Sequence, residues 1–146
     1  MLEPNAQLHM CDGKAIPPSG GTTPTGKSVV LDPGHGNPDP VDGKTSEGSL
    51  NLVIANRLKS TLENAGLTVT LTHNSNIPIA DKYSSLLERV KRINATNANI
   101  LISIHFDSSI YPFIGPRAYH NTSRNFSDQN RKLAEAVGSS LVKSTG

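Results

Sequence analysis

Asn99-Ile100-Leu101-Ile102-Ser103-Ile104-His105 is the stretch that decides the fold. Its centre, Ile100-Leu101-Ile102, is apolar without alternation, so a strand built from it has both faces covered. Such strands belong to parallel sheets enclosed by helices. A second run of the same kind, Ser28-Val29-Val30-Leu31-Asp32, stops at Pro33-Gly34. Between the two, Leu50, Ile54, Leu58, Leu62 and Ala65 recur every three or four residues. That spacing predicts an amphipathic helix ending at Gly66. Leu67 to Thr72 alternates apolar residues with Thr, which is strand chemistry. After a loop with Pro78, Leu86, Val90 and Ile93 form one face of a second helix and Glu88, Arg89, Lys91 and Arg92 the other. A loop with Pro112, Gly115 and Pro116 leads to a short edge strand at Arg117 to His120. Leu133, Val137 and Leu141 define one face of a last helix, about Ser127 to Lys143. The order βαβαβ(β)α predicts an α/β domain with a mostly parallel sheet, flanked by helices and joined by right-handed crossovers.

Composition narrows the function classes. The 146 residues carry 14 Lys+Arg and 12 Asp+Glu, a net charge of +2. That is too little for electrostatic binding of nucleic acid, and no basic stripe concentrates it. No stretch approaches the roughly 20 apolar residues of a membrane span. With no Trp, three Phe and three Tyr, the core must be aliphatic. The single cysteine, Cys11, excludes an internal disulfide framework and a Cys-rich zinc module. Residues 1–27 are punctuated by Pro4, Pro17-Pro18, Gly20-Gly21 and Pro24, and read as a linker or tail ahead of a domain over 28–146. Glu3 and Pro4 stand where a signal peptide would carry basic residues, so no signal peptide is visible. Nothing specifies an oligomer, and a monomer is the default expectation.

Three strands each end in a histidine: His35, His73 and His105. Sites in parallel α/β sheets form outside the carboxyl ends of strands. His35 lies in Asp32-Pro33-Gly34-His35-Gly36, whose glycines permit a sharp turn and a close backbone approach. It reads equally as an exposed turn residue or as a ligand. His105 leaves the most apolar strand, and beside His35 a metal-ligating role is favoured. His73 ends a less buried strand and reads as a surface residue; His120 reads as a surface residue or a substrate contact. Two imidazoles suit zinc, which in catalytic sites takes three protein ligands and a water. His73, Asp107 and Glu47 are the candidates for the third ligand. By position alone Glu47 complements a helix dipole. Asp32 either orients His35 or caps the Pro33-Gly34 turn.

Taken in order, these motifs resemble the zinc-dependent N-acetylmuramoyl-L-alanine amidases of bacterial cell walls, of the amidase-3 type. Val30-Leu31-Asp32-Pro33-Gly34-His35-Gly36 is similar to the family's opening strand and first zinc ligand. Glu47, four residues before Asn51-Leu52, matches its Glu ligand and helix start. Leu87-Glu88-Arg89 with Asn94-Ala95 matches a helix with a characteristic Arg. Ser103-Ile104-His105 matches the second His ligand, with Asp107 where the family often has Asn. Gly115, Tyr119 and Lys132-Leu133-Ala134 resemble the elements beyond. The resemblance implies one zinc ion on His35, Glu47 and His105, peptidoglycan as partner, and an extracellular or cell-envelope location. It implies hydrolysis of the amide between N-acetylmuramic acid and L-alanine. Two departures bear on this. His73 stands where the family often has Arg. The family also continues into a strand whose Glu, in a Val-Glu-x-Gly-Phe-like motif, is the general base, whereas this sequence ends at Gly146. The expectation is a C-terminally incomplete domain that lacks the last strand and following elements, has an unpaired sheet edge, and shows weak or absent activity. A non-catalytic peptidoglycan-binding or regulatory remnant is one alternative. Another zinc peptidase or deacylase is a second.

Overall fold

Strand β2 (Ser28–Pro33) is buried along its whole length. This follows from its position: β3 (Thr68–Leu71) and β4 (Ile100–Phe106) pair with it on either side, both parallel. The computed structural model describes residues 6–9, 27–35, 47–74, 82–106, 115–123 and 125–145. Three helices flank the sheet: α1 (Glu47–Asn64), α2 (Lys82–Thr96) and α3 (Ser127–Thr145). With β1 (Ala6–His9) and β5 (Arg117–Tyr119), the strand order is β3-β2-β4-β1-β5. The expected α/β architecture, a parallel core flanked by helices, is therefore what the chain forms.

Alternation along the strands assigns the two faces. Val29, Leu31, Val69, Ile102 and Ile104 form one apolar layer, which Ala55 of α1 and Ala134 of α3 cover. Leu58, Leu62, Leu133 and Val137 pack against its margin, as their helical spacing predicted. Helix α1 stops where expected. Gly66 takes φ +84°, its N–H donates to Glu63, and the Leu67 N–H donates to Leu62. This pattern satisfies the last carbonyls of a helix and favours glycine at the left-handed position.

The opposite face corrects the reading of α2. Leu86 and Val90, on the apolar face, are 50% and 40% exposed, while Arg89, on the charged face, is 7% exposed. The sheet explains the rotation. Asp32 pairs in register with Ser103, and Thr72 follows β3 on the other side of β2, so one polar row crosses three strands. A buried carboxylate requires a counter-charge, and α2 turns Arg89 inward to supply it.

A second difference concerns the expected tail. Residues 6–9 pair antiparallel with β4, and β5 pairs parallel with β1. The N–H and C=O groups of β4 need partners on both edges, and this short strand supplies the second. Four residues of strand among closely spaced prolines and glycines leave no periodic signal. The rest of the expected linker, Cys11 included, lies outside the described residues, as does Asp107. No described helix is long and apolar enough to cross a membrane.

Candidate metal centre

The chain leaves β2 through α1 to reach β3 on one side. It then returns through α2 to β4 on the other. The strand order thus reverses between β2 and β4, and ligand sites open outside the carboxyl ends of strands at such a point. His35 follows β2, His105 lies near the end of β4, and Glu47 begins α1. All three meet there, with one ligand atom from each within 4.8 Å of the others.

Glu47 is the bridge. Its Oε2 lies 3.2 Å from His35 Nε2, and its Oε1 lies 3.1 Å from His105 Nδ1. The Phe106 N–H also donates to Oε1 at 3.0 Å. Burial raises the Glu47 pKa. The hydrogen bonds from His105 and His35, the His35 charge and the Phe106 N–H outweigh it, so the carboxyl titrates well below its ordinary 4.5. The imidazole rings stand edge to face, with centroids 5.0 Å apart. Asn51, one helical turn beyond Glu47, is fully buried and donates from Nδ2 to the Gly34 carbonyl at 3.1 Å.

The turn before His35 is tightly determined. The Gly34 N–H donates to the Ile104 carbonyl at 2.8 Å. A Cβ on Gly34 would stand 2.3 Å from Cε1 of His105, so the glycine is the floor on which that ring lies. His35 has φ +67°, a left-handed conformation that costs a non-glycine residue on the order of 1 kcal/mol or more and persists only where the surroundings impose it.

Beneath the turn lies the polar row. Asp32 Oδ1 accepts from Arg89 Nε and from Thr72 Oγ1, both at 2.8 Å, and Oδ2 accepts from Ser103 Oγ at 2.9 Å. His73 belongs with this row, which corrects its reading as a surface residue. It is 6% exposed, because the chain after β3 runs beneath Arg89 and Arg92 of α2. The Thr72 hydroxyl has one proton and gives it to Asp32. It must therefore accept from His73 Nδ1, 3.2 Å away, which leaves Nε2 as an unprotonated lone pair with no partner among the described residues. Burial lowers the His73 pKa, the Asp32 charge works against that, and Arg89 and Arg92 lower it further. The unfolded chain then takes up a proton near the ordinary 6.5 while the folded chain resists it. Stability due to neutral His73 is complete above about pH 6.5 and is lost as pH falls below it. His73→Asn, which keeps a donor at the Nδ1 position, should flatten the fall in urea midpoint on acidification from about pH 7.5 to 5.5. Parallel curves for the variant and the parent would refute this.

Other candidates are not brought to the centre. His120 lines an open groove of about 700 Å³ between β5 and α3, with Arg131 and Glu135. Glu63, Glu88 and Glu135 pair with Lys59, Arg92 and Arg131 on their own helices, four residues away in each case. Among the described residues, His35, Glu47 and His105 form the only group of three or more His, Cys, Asp or Glu side chains placed to share a cation.

Residues 29–146 match the family described as N-acetylmuramoyl-L-alanine amidase, in its amidase-3 form. The chain belongs to this family. It is 37% identical over 95 residues to the germination-specific N-acetylmuramoyl-L-alanine amidase of Bacillus subtilis, covering 58% of this chain and 40% of that protein. It is 35% identical over 122 residues to a probable cell wall amidase, LytH, of Staphylococcus saprophyticus, covering 80% of this chain and 37% of that protein. The N-acetylmuramoyl-L-alanine amidase AmiC of Neisseria meningitidis is 32% identical over 123 residues, 75% of this chain and 28% of that protein. The amidase domain thus spans well under half the length of these three relatives. No solved structure matches it. Two residues around this cluster escape a sequence reading by chemistry alone, Asn51 and Arg89. Asn51 leaves a faint trace, a polar residue one turn after Glu47 on the helix face that Ala55 then continues. Arg89 leaves none, because it stands among Glu88, Lys91 and Arg92 as one charge of four.

Proposed function

We propose that His35, Glu47 and His105 hold one zinc ion and that this amidase domain acts on peptidoglycan. The bond cleaved is the amide between N-acetylmuramic acid and L-alanine. The observation that carries the reading is the convergence of two imidazoles and one carboxylate on the carboxyl rim of a parallel sheet. The donor set fits the ion. Two nitrogens and an oxygen are ordinary zinc donors, and three protein ligands leave a fourth position open, as in catalytic sites. Zinc bonds to such donors are about 2.0–2.2 Å long, and one ligand atom from each of the three residues lies within 4.8 Å of the others, with a Glu47 oxygen turned to each ring. A bound zinc supplies Lewis acidity towards a carbonyl and makes hydroxide available near neutral pH.

The protein's own part is to hold the donors. Glu47, anchored by the Phe106 N–H, keeps the two rings turned towards one point. Gly34 and Asn51 close the floor beneath them. The names of the relatives, which include a cell wall amidase, support an extracellular or cell-envelope setting. Among the described residues the remaining glutamates are engaged in helix-surface ion pairs, so none serves as a proton carrier at the centre. Loss of general acid–base help typically costs about 10²–10⁴-fold. A centre served by the described residues alone is therefore expected to hydrolyse slowly.

Digestion of purified peptidoglycan tests this by the identity of the product. A slowly released peptide stem with a free L-alanine amine, matched by a lactyl carboxylate on the glycan, is the expected outcome. Cleavage between amino acids would replace the amidase by a peptidase. Sedimentation of the protein with walls, without any cleavage, would make it a binding module.

A further inference from the structure

The geometry points to Arg89 as a positioning residue for the metal centre, one that holds the His35 turn without touching the ligand atoms. The inference rests on the zinc site proposed above. His35 is the one ligand carried on a turn rather than within a helix or strand, and its backbone is left-handed at φ +67°. A conformation of that kind does not sustain itself; neighbouring groups must determine it. Gly34 is held on both sides, through its N–H to Ile104 and through its carbonyl to Asn51. Those bonds fix the middle of the turn and leave its two ends to be set.

Arg89 reaches both ends. Its Nε donates to Asp32 Oδ1 at 2.8 Å, three residues before the ligand, and its Nη1 makes a long contact of 3.5 Å with the carbonyl of His35 itself. The guanidinium is a rigid planar fork, so the two contacts are not independent. With Nε seated on Asp32, Nη1 of the same rigid plane lies beside the His35 carbonyl. Asp32 in turn is held, because Thr72, just after β3, and Ser103 of β4 donate to its two oxygens. Strands β2, β3 and β4 and helix α2 thus share one buried carboxylate. Through Arg89 that junction extends to the peptide unit from which the His35 side chain projects. Helix α2 contributes no ligand to the cluster, yet it reads out on His35.

Lysine at this position would separate the two functions of the arginine. Its single ammonium can neutralise Asp32, but it cannot also span to the His35 carbonyl, since it is a point charge and not a fork. Removing an outer partner that orients a metal ligand typically weakens metal binding by about 10–100-fold. Arg89→Lys is therefore expected to leave the melting temperature of the metal-free protein close to that of the parent, while weakening Co²⁺ and Zn²⁺ by about 10–100-fold. The visible absorption of bound Co²⁺, which reports ligand geometry, should change shape. Arg89→Met should lose both metal affinity and thermal stability. Leu87→Ala, on the exposed side of the same helix, should change neither.

The experiment is a Co²⁺ titration of the whole chain, followed by zinc competition and thermal melts. Parent protein that binds no metal overturns the zinc centre, and this inference falls with it. Parent protein that binds metal while Arg89→Lys matches it in affinity and spectrum overturns the inference and leaves the centre standing. Should Arg89→Lys fail to fold, the parent still decides the matter. Its Arg89 Nε–H resonance should move as metal saturates the site while that of Arg131 stays fixed, and an unmoved Arg89 signal overturns the inference.

Discussion

Protein carrying His35→Ala together with His105→Ala should purify with zinc at background, while the parent holds about one equivalent, the stoichiometry of a single three-ligand site. Glu47 then stands alone, and one carboxylate does not retain zinc against buffer. The fold should survive, because the two rings sit at the rim, 40% and 21% exposed at their side chains, and the apolar layer of Val29, Leu31, Ile102 and Ile104 lies below them. A cooperative melt of the double variant accompanies the metal analysis for that reason. His120→Ala is the matched comparison, a histidine lining the β5–α3 groove, and it should keep the full zinc content. Equal zinc in the parent and the double variant would end the proposal that these residues are ligands.

Gly34→Ala has the second largest expected effect, and it comes from a single methyl group. The new carbon would lie 2.3 Å from Cε1 of His105 and 2.5 Å from each of its ring nitrogens. Neither party can easily give way. The Gly34 backbone is bonded to Ile104 and Asn51, and the His105 ring is held by Glu47 at 3.1 Å. The ring must swing off its floor, and the His105–Glu47 contact goes with it. Overpacking of this kind typically destabilises by about 1–3 kcal/mol. The loss of a correctly placed imidazole should remove tight zinc binding as well. Gly138→Ala provides the contrast. There the added carbon meets only the Ala118 Cβ, at an ordinary 3.7 Å, in a helix where alanine is favoured over glycine by roughly 1 kcal/mol. Denaturation midpoints and zinc titrations of the two variants should therefore move apart. A Gly34→Ala protein with parental stability and zinc affinity would show that the ring is not seated as described.

Much of the architecture was legible because local chemistry dictated it. Ile100-Leu101-Ile102 and Val29-Val30-Leu31 had no polar face to offer water, so they had to be central strands. Gly66 had to end α1, since only a residue tolerant of positive φ closes that pattern at no steric cost. Histidines at the ends of three strands pointed to the carboxyl rim of a parallel sheet, where two of them, His35 and His105, meet. The resemblance then named His35, Glu47 and His105 together, and the fold brings these three within reach of one another.

Periodicity by itself determined the order of strands and helices from β2 onward, the aliphatic core and the rim on which chemistry could occur. It could not choose among the histidines at that rim. Strand order made the choice: β2 and β4 are neighbours across the point where the crossovers diverge, so His35 and His105 converge, whereas β3 lies on the far side of β2 and carries His73 into a buried polar row. Nor could periodicity orient α2, because a helix reads as amphipathic from its own residues alone, and the feature that turned Arg89 inward was Asp32, 57 residues away in sequence. The strand at residues 6–9 was hidden for the same reason, since its pairing partner begins nearly a hundred residues later. Local free energies set the elements; long-range electrostatics and edge pairing, which exist only once the chain has closed on itself, decided which side chains met.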